Sequence, residues 1–551
     1  MDVDKDGRRL AKKMKKYNTF LPRRVATAEA AASADAEPPL KKLLQAVKNG
    51  VKSPPRGEAV VYWMRMEDLR ISDNRALSSA STQARRDGIP VVVIFIISPE
   101  DYIAQNRSPR RIDFTLRNLA DIKTRLASEH IPLYIELHTP QSASLLSYRS
   151  GKDIGVCELA TFAGIKVEFM HDRCLADPGT VLNQSGGVYT TFSYWHPNWL
   201  ATLKSNLEWI EEVPRPWPNS EDIYSNPTLK ALFDAEVPDH VNGFECRDRE
   251  RMREVWPAGE DTARQILDRF LHAKARSSQK GASNPLSEGS EMSDKESRAL
   301  VYKGSRDKAD KDTTSRISPY LAAGVISARE CVWHVRNLQR VNKAQATSAT
   351  SLGAWLDGIA QRDFYNHLLV ACLRGPIGRP LRGKYANLKG DMNEKHLQAW
   401  KEGRTGVPIV DAGMRQLNFM GWMHNRLRMI TSTYLVKNLM IDWRLGEKYF
   451  MEKSVDGDLA SNNGSWQLCA ATSVNQRLGY ITFNPYSQSK KADPTGAYIR
   501  HFVPELQILK GPDIHKPPEE VAVKLGYPLP LVKHKEVIRR VSRRYKHLGR
   551  Q

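Results

Sequence analysis

Residues 89–98 read IPVVVIFIIS, a β-branched and aromatic run that sets the fold class of the amino-terminal half. Its nine consecutive apolar residues, Ile89 to Ile97, are fewer than half of the roughly 20 that a transmembrane helix needs. They read instead as a buried strand, and no membrane span is expected. Three similar runs flank it: AVVYWM at 59–64, IPLYIEL at 131–137 and IKVEFM at 165–170, with helix-like stretches between them. This alternation predicts an α/β domain with a parallel sheet. Function in such sheets gathers at the carboxyl ends of strands, where Arg65 to Asp73 follow the first run. Neither GxGxxG nor GxxxxGK[ST] occurs there, so no conventional nucleotide loop is indicated.

Outward from this core the composition changes. Residues 1–56 are rich in Ala, Lys and Pro without sustained periodicity and are expected to be a disordered basic leader. The α/β domain spans 57–190. Residues 191–254, rich in Pro and Trp, are expected to form a connector laid over the surface. From 255 to 551 the pattern is helical, with apolar residues at three-to-four spacing through Ile266 and Phe270, Leu352, Trp355 and Ile359, and Val410, Met414 and Leu417. The Ser- and Gly-rich stretch 276–298 interrupts it and is expected to be a mobile insertion. No internal repeat is found.

The 551 residues are 41% hydrophobic and 26% charged, the balance of a globular protein. The net charge of +21 favours a polyanionic partner. Most of the excess is terminal: residues 1–56 hold 14 Lys and Arg against 6 Asp and Glu, and residues 530–551 hold 8 against 1. Solubilising tails and nucleic-acid contact account for such runs equally well. Arg8, Arg9, Lys12, Lys13, Lys15 and Lys16 form a bipartite cluster of the nuclear-import type. A mitochondrial presequence is the rival, against which Asp2, Asp4 and Asp6 argue; cytoplasmic residence is a further alternative. The six cysteines are scattered, without CxxC pairs or nearby histidines, so neither a metal site nor a disulfide framework is expected. With no secretory apolar core at the amino terminus, the thiols are expected to be reduced and intracellular.

Chemistry concentrates in the carboxy-terminal half. TGVPIVDAGMRQLNFMGWMHNRLRMI runs from Thr405 to Ile430, IDWRLGE from Ile441 to Glu447, and DGDLASNNGSWQ from Asp456 to Gln467. Arg, Asn, Asp and Trp at this density on helices of an apolar domain need partners. A hydrogen-bonded helix network and a cofactor pocket both supply them. These stretches, with YWMRMEDLRISDNRAL at 62–77, resemble the photolyase/cryptochrome family, and within it the class I cyclobutane-pyrimidine-dimer photolyases. The likeness extends over roughly residues 57–545. It implies an α/β antenna-type domain joined by a long connector to an all-helical domain that holds folded FAD. It also allows a second, antenna chromophore, whose identity the residues leave open.

Carried over residue by residue, the likeness implies a nearly complete flavin site. Tyr302 precedes the TSRIS motif by twelve residues, and Thr314, Ser315 and Ser318 resemble phosphate-contacting hydroxyls. Trp355 and Arg362, seven apart on one helical face, match two further pocket positions. Asn425, Arg428, Asp456 and Asp458 match residues around the isoalloxazine and ribityl groups. Asn462 matches the amide beside flavin N5. Trp466 and Trp443 match two of the three tryptophans of the family's photoreduction chain, and core packing is a second role for both. The distal tryptophan position corresponds to Gly390.

The lesion positions differ. Asn425 and Met429 are kept, but the family's dimer-binding glutamate and its two tryptophan walls correspond to Gly358, Gln361 and Leu468. Asp357 neighbours the missing acid, but one residue turns a helical side chain by about 100°. The (6-4) photolyases carry histidines where this chain has Asn425 and Met429, so that lesion chemistry fits poorly. The expected partner is DNA, with Arg426, Arg539, Arg540, Arg543 and Arg544 contributing phosphate contacts, and the expected state is a monomer with no protein partner identified. Two functions remain open: a flavoprotein with weakened or lost dimer repair and a light-sensing, regulatory or structural role, or an active deoxyribodipyrimidine photo-lyase.

Overall fold

The structure is a computed structural model that describes residues 27, 29, 32–33, 36–137, 149–276, 284–286, 290–293, 295–341, 350–371, 378–382, 390–472 and 483–547. The basic cluster from Arg8 to Lys16, and Cys372, lie outside the described residues. Three of the four β-branched runs form strands: β1 (Val60–Met64), β2 (Val91–Ile97) and β3 (Leu133–Leu137). They pair in parallel with β2 central, Val60 opposite Val91 and Val93 opposite Leu133. Helix α1 (Pro39–Asn49) precedes the sheet; α2 (Arg75–Asp87) links β1 to β2, α3 (Pro109–Ala127) links β2 to β3, and α4 (Arg149–Phe162) follows β3. The Asn74 side chain starts α2 by accepting from the Leu77 N–H, and Gly88, at φ 64°, ends it.

Three sequence expectations are corrected. Residues 165–170 are not a strand: among the described residues the segment has no ladder partner, and its alternation has no core to face, leaving Ile165 and Phe169 57% and 40% exposed. The leader is not wholly disordered, because α1 lies within it and packs against α4 with Leu43 buried. The connector is not merely a surface strap. It contains α5 (Phe192–Ser205), whose Trp195 and Trp199 stack at 5.6 Å and are both buried, despite Pro197 within the helix. Residues 277–283, 287–289 and 294 of the 276–298 insertion lie outside the described residues; its described part returns to the body, where the Lys274 N–H donates to the Glu291 carbonyl at 2.8 Å.

The rest is helical. Helices α6 (Glu260–His272), α7 (Ser351–Ala371), α8 (Pro408–Met420), α9 (Asn425–Thr433), α10 (Trp443–Lys453) and α11 (Leu459–Ala470) surround a core containing Phe270, Leu352, Trp355, Ile359, Val410, Met414 and Leu417, all buried as their spacing predicts. Helix α12 (His534–His547) closes the chain, with Val537 and Val541 buried against Met440 and Ala471. Among the described residues no helix is long and apolar enough to cross a membrane, no group of side chains is placed to hold a metal ion, and the cysteines are free.

Arginines of the α/β half hold the two halves together. Buried Arg111 on α3 donates to the carbonyls of Ala322 and Val455 at 2.8 and 3.1 Å, and Arg107 to that of Gly457 at 2.8 Å. Arg107 also pairs with Glu67 at 2.8 Å. At the seam Gly324 is irreplaceable: its φ is 70°, and a β-carbon there would overlap the Glu67 carbonyl. The turn at 455–458, which carries two sequence-nominated site residues, is therefore fixed from the other domain.

Candidate functional site

The site forms where α7, α9 and the amino-terminal end of α11 meet residues 302–318. Asp456 is its electrostatic centre. Arg428 Nη2 donates to both carboxylate oxygens at 3.0 and 2.8 Å, Ser318 Oγ donates to Oδ2 at 2.8 Å, and Trp422 Nε1 donates to Ser318 Oγ at 3.0 Å. Arg428 is fixed further by donation from Nε to the Met423 carbonyl at 2.9 Å. The network thus unites three nominated residues and adds Trp422, which the sequence had not marked.

Asp458 caps α11, accepting from the N–H groups of Ala460 and Ser461. Burial works to raise its pKa, but the charges of Arg173 and Arg362 and the hydrogen bond from Ser461 prevail and hold it at about 2. Four residues on, half-buried Asn462 donates from Nδ2 to the Glu447 carbonyl at 3.0 Å. Oδ1 has no partner among the described residues and is an acceptor that a ligand N–H could meet.

The aromatic side is built from Tyr302, Phe270 and Trp355. Phe270 lies 5.7 Å edge-on from Tyr302 and 5.2 Å from Trp355. Periodicity had marked Phe270 only as core. Arg362 points across to the α/β half and the 318–324 turn, donating to the Arg173 carbonyl at 2.5 Å and the Leu321 carbonyl at 3.2 Å. Thr314 and Ser315 are half-buried, and their hydroxyls have no hydrogen-bond partner among the described residues. Arg316 Nη1 beside them is buried and unpaired. A diphosphate would satisfy this set of unspent donors, and the aromatic wall suits a ring system; the residues fit a flavin dinucleotide.

Trp466 and Trp443 are both buried. Trp466 lies 5.0 Å from Phe450 and 6.2 Å from Trp400, edge to face in both cases, and closes directly on Gly446 of α10. Gly390 lies beside Trp443's neighbour, with its backbone so close to Asp442 that a β-carbon would overlap the Asp442 nitrogen. The next residue, Asp391, accepts from Arg540 and Arg544 at 2.7 Å each.

The lesion positions have a different character. Gly358 is exposed, with nothing within 4 Å of where a β-carbon would stand; Gln361, Met429 and Leu468 are half-buried, and Asn425 is exposed. Asp357 Oδ1 lies 3.2 Å from His196 Nε2 on α5. Among the nominated phosphate contacts, Arg426 pairs with Asp307 at 2.5 Å and Arg540 and Arg544 with Asp391, whereas Arg539 and Arg543 are exposed.

The aromatic side chains Phe270, Tyr302 and Trp355, the Arg428–Asp456 pair and the unspent donors at 314–316, set beside an α/β domain, together fit a flavin-binding protein. Comparison agrees. Residues 355–547 match the FAD binding domain of DNA photolyase, and residues 60–146 match the DNA photolyase family. The deoxyribodipyrimidine photo-lyase of Neurospora crassa is 35% identical over 94% of this chain and 86% of its own length, and that of Escherichia coli is 32% identical over 86% and 96%. A bacterial class III photolyase from Agrobacterium tumefaciens superposes with a TM-score of 0.70 at 26% identity, covering 91% of this chain and 99% of that one. The chain belongs to the photolyase/cryptochrome family, and FAD is its cofactor.

Proposed function

We propose that this chain is a FAD-binding, DNA-associating flavoprotein in which pyrimidine-dimer repair is weakened or lost and the flavin serves a light-sensing, regulatory or structural role. One observation carries the reading. Asp357, the acid next to the missing glutamate, is drawn to His196 on α5, while the glutamate's own position is an exposed glycine. With Gln361 and Leu468 in place of aromatic walls, two stacking surfaces worth about 1–3 kcal/mol each are also absent.

Bound FAD supplies light absorption and one-electron redox chemistry. The chain's own residues orient and insulate it. The Arg428–Asp456–Ser318–Trp422 network fixes one wall, Asn462 Oδ1 offers an acceptor, and buried Trp466 packs at the base of the same helix. A duplex would be attracted by exposed Arg539 and Arg543, with salt-sensitive affinity. The alternative reading, an active photo-lyase, is favoured by the retained Asn425 and Met429 and by the named relatives. The deciding measurement is splitting of a defined thymine-dimer oligonucleotide under blue light, with the flavin quantified and chemically reduced beforehand. Slow or absent splitting is expected; turnover at each flash would overturn the proposal in favour of the alternative.

A further inference from the structure

Every flavin-site residue nominated from the sequence lies in the helical half, yet the most deeply engaged cation at Asp458 comes from the other domain. Arg173 lies in the segment after α4, in HDRCLADPG at 171–179. Its Nη2 donates to Asp458 Oδ1, and its carbonyl accepts from Arg362 Nη1. The same segment is docked on α7 by two further contacts. The Leu175 N–H donates to Asp363 Oδ2 at 2.8 Å, and the Ala176 carbonyl lies 3.0 Å from His367 Nε2. Arg173 is therefore held by its backbone against one flavin-site residue and by its side chain against another. Its side chain is 18% exposed and that of Asp458 7%. The Arg173 Nε–H is buried and has no protein partner, a donor left for a ligand oxygen.

The geometry points to Arg173 as a positioning residue of the flavin site, an arginine supplied by the α/β domain that compensates the Asp458 carboxylate and so favours the reduced, more negative form of bound FAD. The physical argument is charge balance. A buried carboxylate beside a cofactor opposes added electrons, and a paired one does so far less. Arg428 is already spent on Asp456, and Arg362, whose charge also favours ionised Asp458, makes its hydrogen bonds to two carbonyls instead. Arg173 is thus the guanidinium hydrogen-bonded to Asp458. Because the segment is fixed to α7 as well as to α11, the same arginine ties the α/β domain to the cofactor, and this holds whether or not dimer repair survives.

The test uses the full-length holoprotein in the variants R173M, R173K and D458N and the double variant R173M/D458N, reading FAD affinity and the flavin midpoint potential. R173M is expected to weaken FAD binding at least tenfold. It should also lower the preference for reduced over oxidised FAD about tenfold, a shift of about 30 mV to more negative potential for a two-electron couple. R173K should recover most of both. In the D458N background R173M should still shift the potential in the same direction, because charge effects at the flavin add, but its loss of FAD affinity should be much smaller, because no buried carboxylate is left unpaired. An R173M holoprotein with parental affinity and potential overturns the inference. So does an R173M loss of FAD affinity of equal size with and without Asp458, which would make Arg173 a packing residue.

Discussion

Replacing Gly358 with glutamate separates the stability of the site from its chemistry. Gly358 lies in the middle of α7, exposed, with open space where a side chain would project. Glycine within a helix costs about 1 kcal/mol relative to alanine, and glutamate costs a few tenths, so G358E should stabilise α7 by about 0.5 kcal/mol. No ion pair with Arg362 is added, because that guanidinium is held by the Arg173 and Leu321 carbonyls. A stabilisation of about 0.5 kcal/mol slows local amide exchange in α7 by about twofold, which hydrogen-exchange mass spectrometry of the holoprotein resolves. G358E alone should not restore repair, since both walls remain absent. G358E/Q361W/L468W together add two stacking surfaces, about 2–6 kcal/mol in all. Preference for dimer-containing over undamaged DNA should therefore rise by a factor of about 30 or more. Faster exchange in G358E would refute the open helix face. A triple variant that binds FAD yet ignores dimers would refute the account of the missing pocket.

Gly390 should behave in the opposite way: G390A forces a β-carbon into the Asp442 backbone and should cost about 1–3 kcal/mol, lowering the temperature of flavin release, so reinstating a tryptophan there is not a route to photoreduction. D391N removes the carboxylate that pairs with Arg540 and Arg544; undamaged DNA should bind more tightly, with a log–log salt slope steeper by up to about 2, and an unchanged slope would show that neither arginine gains a phosphate contact. His424 is buried and its pKa is lowered from 6.5 to about 4, by burial first and by Arg316, Arg426 and Arg428 next. The unfolded state therefore takes up a proton that the folded state refuses, and stability should fall by about 1.4 kcal/mol per pH unit as pH drops from about 6.5 to about 4. Because the His424 ring also caps α9 by accepting from the Arg426 N–H at 3.2 Å, H424N should keep the cap and flatten this dependence in thermal unfolding scans from pH 7 to 4.

Legibility in the sequence followed the physics of each signal. IPVVVIFIIS was unambiguous because a strand flanked on both sides is apolar throughout, and the helical core was readable because Val410, Met414 and Leu417 recur on one face. The run 165–170 misled because alternation states only that a strand could form; pairing depends on a free neighbouring edge, which no local pattern encodes. Helix α5 was hidden by Pro197 and by the lack of polar alternation around Trp195 and Trp199. Arg173 left no signal at all. Its role arises from a contact across 285 positions of chain, and a solitary arginine in an aperiodic segment looks like any surface charge. The contact of Asp357 with His196 was not legible either, because His196 lies on a helix that Pro197 disguises.

The two halves of the candidate site also differ in what their substitution costs, and this bears on how the retained flavin residues are interpreted. Asp456, Ser318, Arg428 and Trp422 form one connected network, and Asp458 joins Arg173. Removing any one charged member strands a buried charge, at a cost of several kcal/mol that falls on folding itself. Gly358, Gln361 and Leu468 have no such dependants: one is exposed and two are half-buried. Changes there stay within the small range of surface substitutions. A chain released from the need to repair DNA would therefore lose its lesion surface first and its cofactor pocket last, on stability grounds alone. It follows that an intact flavin pocket is expected of both an active and an inactive protein of this fold. The weight of evidence about repair falls on the three positions where nothing but substrate enforces identity, and there this chain carries Gly358, Gln361 and Leu468.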